Sequence, residues 1–163
     1  MYEFREYANF TANRYYFTIS KYNDDFSIDV DGDVKINYKE LVSLPIKFNI
    51  VTGNFDCAYN NLIYLEGCPI SVGGRFYCHF NKLKTLEGTP EIINSDFDCS
   101  CNELTSFKGC PKYIGRNFVC YHNHFKSFEG APEIIRGKWQ IGNKKKNSVE
   151  YKKYLLVKKI EKL

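Results

Sequence analysis

A period of 21 residues dominates the middle of this 163-residue chain and constrains its fold more than any other feature. Four consecutive units align without gaps: NFDCAYNNLIYLEGCPISVGG (54–74), RFYCHFNKLKTLEGTPEIINS (75–95), DFDCSCNELTSFKGCPKYIGR (96–116) and NFVCYHNHFKSFEGAPEIIRG (117–137). Residues 33–53 form a unit of the same length, and another unit begins at Lys138. One unit cannot bury its apolar side alone, whereas stacked units can, so the repeat predicts a solenoid over residues 33–143.

Each column of the repeat has a physical role. Phe and Cys, two residues apart, point to the same side of a short strand, which we expect to be the core. Two apolar positions, three residues apart, extend this core beyond the turn. The Gly that follows them suits a turn with positive φ, and the Pro two residues later fixes an extended return segment. We expect the Asn that ends each strand to hydrogen-bond to the backbone of the neighbouring rung. The members of that column are Asn60, Asn81, Asn102 and Asn123.

The strand-to-turn pattern F-x-C-x-x-N-x-L resembles the L-x-L-x-x-N-x-L signature of the leucine-rich repeat family. The short unit with L-x-x-L-x-G-x-P is also similar to small repeat proteins encoded by tailed bacteriophages, in which such units follow an acidic strand like residues 27–34 here. The resemblance covers about residues 26–143. It implies a mainly β, short leucine-rich-repeat-like solenoid of about five rungs, but it says little about function.

The ends of a solenoid need covering. Residues 1–32 are predicted to form an N-terminal cap, with a short helix over residues 2–10 and a hairpin over residues 14–30. Residues 144–163 carry apolar side chains at helical spacing and Lys on the remaining surface, which predicts a basic C-terminal capping helix. We expect the cap, the solenoid and this helix to form one folding unit.

Residues 29–40, DVDGDVKINYKE, carry oxygen-bearing side chains at the spacing of a calcium-binding loop. Such a loop needs Gly at its sixth position and a helix on both sides, whereas Val34 stands there and the preceding residues alternate like a strand. Val34 and Ile36 also match inward columns of the repeat. We therefore interpret the segment as the first strand of the solenoid, whose acidic residues keep an exposed edge soluble.

Residues between and after the inward columns are predicted to face outward from the strands. This face is rich in aromatic and His side chains, which are typical interface anchors, although shielding of a thin sheet is an alternative explanation. Its charges have both signs, which suits a protein partner better than a phosphate backbone. The candidate partner-binding residues are Tyr38, Tyr59, Arg75, Tyr77, His79, Phe80, Asp98, Tyr121 and His122.

Two groups of residues invite a metal-binding interpretation. In CYHNH, Cys120, His122 and His124 occupy every second position and would share one face if the strand continued. However, Cys120 lies in an inward column and Asn123 marks the end of the strand. A set formed by Cys101, His79 and His122 lacks a fourth ligand. Because no Ser/His/Asp arrangement or phosphate-binding loop is evident either, we expect no catalytic residues, no metal and no cofactor.

The charge is concentrated at the C-terminal end. Residues 138–163 hold nine Lys and two Glu, a net of +7, so the remaining chain carries 4 − 7 = −3. This segment supports an alternative function, nucleic-acid binding, with affinity that falls steeply as salt rises. The candidate residues are Lys144, Lys145, Lys146, Lys152, Lys153 and Lys159, with Lys158 and Lys162 beside them.

The leading expectation is a non-enzymatic module that binds a protein through its aromatic-rich strand face. Seven cysteines without a secretory leader predict reduced thiols in a cytoplasm, and no apolar run is long enough to predict a membrane span. The phage resemblance implies a host protein as the partner, such as a defence factor that would be inhibited. A weaker alternative is self-association through the exposed sheet.

Overall fold

The computed structural model describes residues 1–142 together with residues 153, 154 and 156. It begins with helix α1, Tyr2–Tyr15, and continues into an antiparallel hairpin of β1, Thr18–Tyr22, and β2, Ser27–Asp31. Short strands follow: β3 Val34–Lys35, β4 Lys47–Val51, β5 Phe55–Asp56, β6 Ser71–Val72, β7 Phe76–Tyr77, β8 Ile92–Ile93, β9 Phe97–Asp98, β10 Tyr113–Ile114, β11 Phe118–Val119, β12 Ile134–Ile135 and β13 Trp139–Gln140.

The chain coils into a β-solenoid of about five turns, with two strands in each turn. The front sheet has the order β3-β5-β7-β9-β11-β13, and the back sheet has the order β1-β2-β4-β6-β8-β10-β12. Neighbouring turns pair in parallel, and Phe76 lies opposite Phe55 on one side and Phe97 on the other. These register partners are 21 residues apart, so the repeat seen in the sequence is the structural turn.

The back sheet is formed by the return segment of each turn. The sequence predicted an extended segment there, but not that its Val/Ile column would pair into a second sheet. Val72 pairs with Val51 and Ile93, and all three side chains are buried. Because the turns are stacked in phase, the backbone groups of successive return segments face each other and form ladder hydrogen bonds.

The core lies between the two sheets, where the Phe and Cys columns were predicted to point. The rings of Phe76 and Phe97 are fully buried with centroids 5.8 Å apart, and Phe97 stacks on Phe118 at 5.4 Å. The Cys column, Cys57, Cys78, Cys99 and Cys120, is fully buried as well. Full burial of one Phe side chain stabilises the fold by about 1.5–3 kcal/mol. The Phe and Cys columns form one continuous core.

The Asn column forms the predicted ladder of side-chain hydrogen bonds. The Nδ2 group of Asn81 donates to the carbonyl oxygens of Cys57 and Cys78, at 3.0 Å and 3.1 Å. Its Oδ1 accepts from the backbone N–H of Leu62 at 2.9 Å. Each Asn thus satisfies buried backbone groups of two adjacent turns at the point where the front strand ends.

Helix α1 is longer than the sequence suggested, because it continues to Tyr15 rather than ending near residue 10. Consequently the first strand of the hairpin begins at Thr18, not at residue 14. The reason is a buried stripe at helical spacing, in which the small side chains of Ala8 and Ala12 pack closely against the core. The division into cap, solenoid and C-terminal helix, and their folding as one unit, remains a prediction.

Residues 29–36 form two strands rather than one, because β2 ends at Asp31 in the back sheet and β3 begins at Val34 in the front sheet. Val34 and Ile36 are fully buried, as expected. The acidic residues do more than solubilise an edge. The carboxylate of Asp33 accepts hydrogen bonds from the backbone N–H and the side chain of Asn54, one turn later.

The predicted C-terminal helix over residues 144–163 lies outside the described residues, except for Lys153, Tyr154 and Leu156. The ring of Tyr154 has its centroid 6.4 Å from that of Phe128. Of the lysines proposed to bind nucleic acid, only Lys153 is described, and its side chain is exposed. In the described part of the chain, no helix has the length and apolarity needed to cross a membrane.

Candidate interaction surface

A column of left-handed residues lies directly after the front strands. The sequence interpretation placed this column on the outward side of each strand, whereas the structure places it at the corner where the strand ends. The backbone φ angles there are +52° to +54°, a region that costs non-Gly residues roughly 1–2 kcal/mol. Ladder hydrogen bonds continue through the corner, because Tyr59 N–H donates to the His79 carbonyl oxygen at 3.0 Å. The column consists of Tyr38, Tyr59, Phe80, Cys101 and His122.

Three of these corners carry stacked rings, which we call the aromatic ladder: Tyr38, Tyr59 and Phe80. The centroids of Tyr38 and Tyr59 are 4.3 Å apart with the ring planes at 10°, and those of Tyr59 and Phe80 are 4.6 Å apart at 9°. The residues remain 65%, 37% and 46% exposed, respectively. The ladder therefore presents a row of aromatic edges to solvent at the spacing of the solenoid turns.

His79 joins the aromatic ladder to the strands beside it. Its ring makes edge-on contacts with the rings of Tyr59 and Tyr77, at centroid distances of 5.1 Å and 5.8 Å. Its buried Nδ1 has no hydrogen-bond partner and lies 3.7 Å from Oδ2 of Asp98, which is too long for a hydrogen bond. The structure thus brings five of the predicted residues together, which we call the His79 cluster: Tyr59, Tyr77, His79, Phe80 and Asp98. Tyr38, a sixth predicted residue, joins them through its stack on Tyr59.

Carboxylates surround this cluster. Burial raises the pKa of Asp56, while the Ala58 N–H and the nearby charges of His79 and Lys35 act in the opposite direction. Asp98 accepts from both the backbone N–H and the hydroxyl of Ser100, at 2.9 Å and 2.6 Å. Asp56 accepts from the Ala58 N–H and from the Asn37 side chain, both at 3.0 Å. Backbone N–H groups and short polar side chains therefore hold both carboxylates in fixed positions.

Arg75 lies at the margin of the cluster. Its Nε is 3.3 Å from Oδ2 of Asp96, and about half of its side chain is exposed. The pKa of Tyr77 is raised, chiefly by burial, although the positive charge of Arg75 acts to lower it. Arg75 therefore contributes a cation that is already paired with a carboxylate of the same surface.

The predicted face is divided rather than continuous. Ala58 and Ser100, which were expected to point outward, are both 1% exposed; the Ser100 hydroxyl is turned onto Asp98. The rings of Tyr121 and His122 contact each other edge-on at 5.0 Å. They form a separate pair, because the turn that carries Ser100 and Cys101 lies between this pair and the aromatic ladder.

Sequence reasoning missed two exposed apolar surfaces. On the back sheet, Ile92 and Ile134 are 55% and 46% exposed, and both pair in register with Tyr113. The residue before each inward Val or Ile must point outward once the return segment is a strand, and this alternation was the available signal. On the N-terminal cap, the exposed aromatic residues are Tyr2, Tyr7, Phe10, Tyr16 and Phe26.

The inward thiols act as packing groups. Burial raises the pKa of Cys120 to about 12, although the Trp139 Nε1–H that donates to its Sγ at 3.1 Å acts in the opposite direction. Such a thiol is a poor nucleophile and metal ligand at neutral pH. Within the described residues, no group of three or more His, Cys, Asp or Glu side chains is arranged to hold a metal ion.

A scan against protein-family models gave no match, and searches of the curated proteins and of the solved structures gave none either. The solenoid architecture rests on the strand pairing described above. The leucine-rich repeat and phage resemblances rest on the sequence pattern alone.

Proposed function

We propose that this protein is a non-catalytic binding module that engages a protein partner through the aromatic ladder and the adjoining His79 cluster. The observation that carries the proposal is the exposure of stacked rings on left-handed corners, where Tyr38 is 65% and Phe80 46% exposed. Packing of the core does not require aromatic residues at these corners. Strained backbone that displays exposed side chains is concentrated at binding and catalytic sites.

The chemistry of the cluster favours a protein as the partner. Tyr and Arg are enriched among the residues that dominate binding energy in protein interfaces. The cluster also combines an Arg75–Asp96 ion pair with the acidic side chains of Asp56 and Asp98. A phosphate backbone would meet these carboxylates with repulsion, whereas a protein surface can present both charges.

The lineage suggested by the sequence extends the proposal to the partner. The repeat resembles the leucine-rich repeat family and small repeat proteins of tailed bacteriophages, for which a host protein is the expected target. We therefore propose binding and inhibition of a host factor, such as a defence protein, in the host cytoplasm. Cysteines that remain free thiols in the structure are compatible with a reducing compartment.

The test is affinity capture from a lysate of the native host, followed by mass spectrometry. Tyr77→Ala combined with Phe80→Ala is expected to lose the partner that the wild type captures, while circular dichroism remains unchanged. A matched control on the back sheet, Ile92→Ala combined with Tyr113→Ala, should keep it. Capture that survives the front-face change with the fold intact would exclude the aromatic surface.

Nucleic-acid binding is the second candidate function, supported by the net charge of +7 on residues 138–163. It would use Lys144, Lys145, Lys146, Lys152, Lys153 and Lys159. Mobility-shift assays with DNA and RNA at low salt test it directly. A shift that weakens steeply with added salt supports it, and no shift at low salt excludes it.

A further inference from the structure

The column of corner residues contains one short side chain in a row of rings. After Tyr38, Tyr59 and Phe80, the next corner carries Cys101 and the one after it His122. All have nearly the same φ, so the backbone path does not change at Cys101. Within residues 1–142, no ring contact links Phe80 to His122, although each earlier pair of corner rings is stacked.

The interruption has the dimensions of one planar group. Stacked rings of the aromatic ladder are 4.3 Å and 4.6 Å apart, close to the separation of paired strands. The corners of Phe80 and His122 are two turns apart, which is roughly 9.6 Å, because paired strands lie about 4.8 Å apart. A flat group above Cys101 would therefore continue the ladder at the spacing of its existing members.

We call the gap above Cys101, between Phe80 and His122, the step. Its surroundings are acidic. Asp98 lies on the strand that leads to Cys101, and its side chain is only partly exposed. The Asp98 carboxylate accepts from the N–H and the hydroxyl of Ser100, the residue before Cys101, at 2.9 Å and 2.6 Å, which places it beside the step. Burial and the negative charge of Asp98 raise the pKa of the Cys101 thiol, while the Ser100 side chain acts to lower it. The nearby cation Arg75 is paired with Asp96. Among the described residues, the basic group within 4 Å of Asp98 is His79, whose Nδ1 lies 3.7 Å from Oδ2, so Asp98 faces no permanently charged side chain there.

We propose that the step between Phe80 and His122, with Cys101 as its floor, receives an arginine side chain of the protein partner. The guanidinium group is both planar and permanently charged, so it stacks on the free face of Phe80 while its charge faces Asp98. This inference rests on the proposed function and names the chemical group that the same surface recognises.

Other planar or charged groups match the step less well. A lysine ammonium has the charge but not the flat shape, and a tryptophan ring has the shape but leaves Asp98 without a counter-charge. A nucleobase would bring its phosphate towards Asp98, which would repel it. Arginine is the side chain that satisfies both the geometry and the charge.

Cys101 itself reports on occupancy of the step. The wild-type protein would be treated with iodoacetamide at pH 8 with the peptide acetyl-Gly-Arg-Gly-amide, and alkylation at Cys101 read by peptide mass spectrometry. The arginine peptide at saturation is expected to slow alkylation of Cys101 about threefold or more, because a stacked guanidinium covers the thiol. Matched peptides with Lys or Trp should not slow it. Equal protection by Lys, stronger protection by Trp, or no protection by Arg would each overturn the inference.

A substitution that completes the ladder tests the same inference with the captured partner. Cys101→Phe fills the step, and the corner accepts it because Phe80 has φ +52° in the same column. We expect Cys101→Phe to weaken partner binding about tenfold or more, whereas the small control Cys101→Ser stays within about twofold.

The arginine site and the proposed binding function can be disproved separately. If Tyr77→Ala with Phe80→Ala loses the partner but Cys101→Phe retains it, the arginine site is wrong and the proposed function stands. If neither variant reduces capture, the proposed function itself is wrong. The peptide measurement uses wild-type protein and does not depend on how the variants fold.

Discussion

The side-chain Nδ2 group of Asn81 donates a hydrogen bond to the carbonyl oxygen of Cys57, one turn of the solenoid away, at 3.0 Å. Asn102 and Asn123 make the equivalent bonds to Cys78 and Cys99, at 3.1 Å and 3.0 Å. Each of these residues directly follows a left-handed corner. The Asn column therefore fixes the corners that display the aromatic ladder.

Replacing Asn81 by Ala should lower the free energy of unfolding by about 3 kcal/mol or more, because it leaves several buried backbone groups without partners. Asn123→Ala is the matched control, since Asn123 makes the same bonds but is half-buried, so water can replace them. Urea denaturation followed by circular dichroism measures both changes. Equal losses at the two positions would contradict the argument from burial.

Gly109→Ala should destabilise the fold several times more than Gly32→Ala. Both glycines have positive φ, +79° and +91°, which costs an Ala roughly 1 kcal/mol. At Gly109 the added Cβ would also collide with the backbone of Glu87, whereas at Gly32 it meets nothing within 4 Å. Thermal unfolding midpoints separate the cost of positive φ from the cost of the collision. Similar midpoints for both variants would show that neighbouring turns can move apart enough to accept the added Cβ.

Acid should weaken the N-terminal hairpin in a defined pH range. The hydrogen bond from Lys47, with a further one from Ser27, lowers the pKa of Asp25 from 3.8 to about 2. A carboxyl whose pKa is lower in the folded state contributes stability above pH 3.8, and this stability is lost as pH falls towards 2. The pKa of Asp33 is lowered too, mainly by the Asn54 N–H, and acts with the same sign.

The measurement for this prediction is the thermal midpoint at several pH values between 5 and about 2. Asp25→Asn should have a lower midpoint than the wild type at pH 5 and should converge with it in acid. Asp56 has the opposite sign, because its raised pKa favours the folded state at low pH. A midpoint of Asp25→Asn that falls with acid as steeply as that of the wild type would contradict the assignment to Asp25.

Native-state alkylation should separate Cys101 from the inward thiols. Cys101 is partly exposed, whereas Cys57, Cys78 and Cys99 are fully buried. Burial raises the pKa of Cys78 and Cys99 well above the ordinary value, so little reactive thiolate forms at pH 8. Iodoacetamide should modify Cys101 first and the inward thiols only after denaturant is added. Simultaneous modification would indicate that the turns open readily.

The register of the front sheet was predictable because each core position recurs with the same residue type. Phe76 and Phe97 occupy one column of the sequence and are direct partners in the sheet. The left-handed corners at Tyr59 and Cys101 were not predictable, because neither residue favours positive φ and the conformation is imposed by hydrogen bonds between turns. The short back-sheet strands, such as β6 and β8, escaped detection because a strand of two residues contains a single outward–inward alternation, which is recognisable only once the pairing of the return segments is known.

The candidate surface was only partly predictable for the same reason. The outward direction of Tyr77 followed from its place between the Phe and Cys columns, whereas the exposure of Phe80 depends on its left-handed corner. Stacking within the aromatic ladder, and the separation of Tyr121 from it, depend on corner geometry that a pattern of residue types does not contain.

Adjacent residues of one front strand have different roles. Phe97 is fully buried in the core, whereas its neighbour Asp98 belongs to the candidate surface. Single substitutions at positions such as Asp98 can therefore change the chemistry of the candidate surface and leave the interior untouched. Because every turn repeats the same scaffold, duplication of one 21-residue unit would lengthen the candidate surface by one turn without a new kind of core contact.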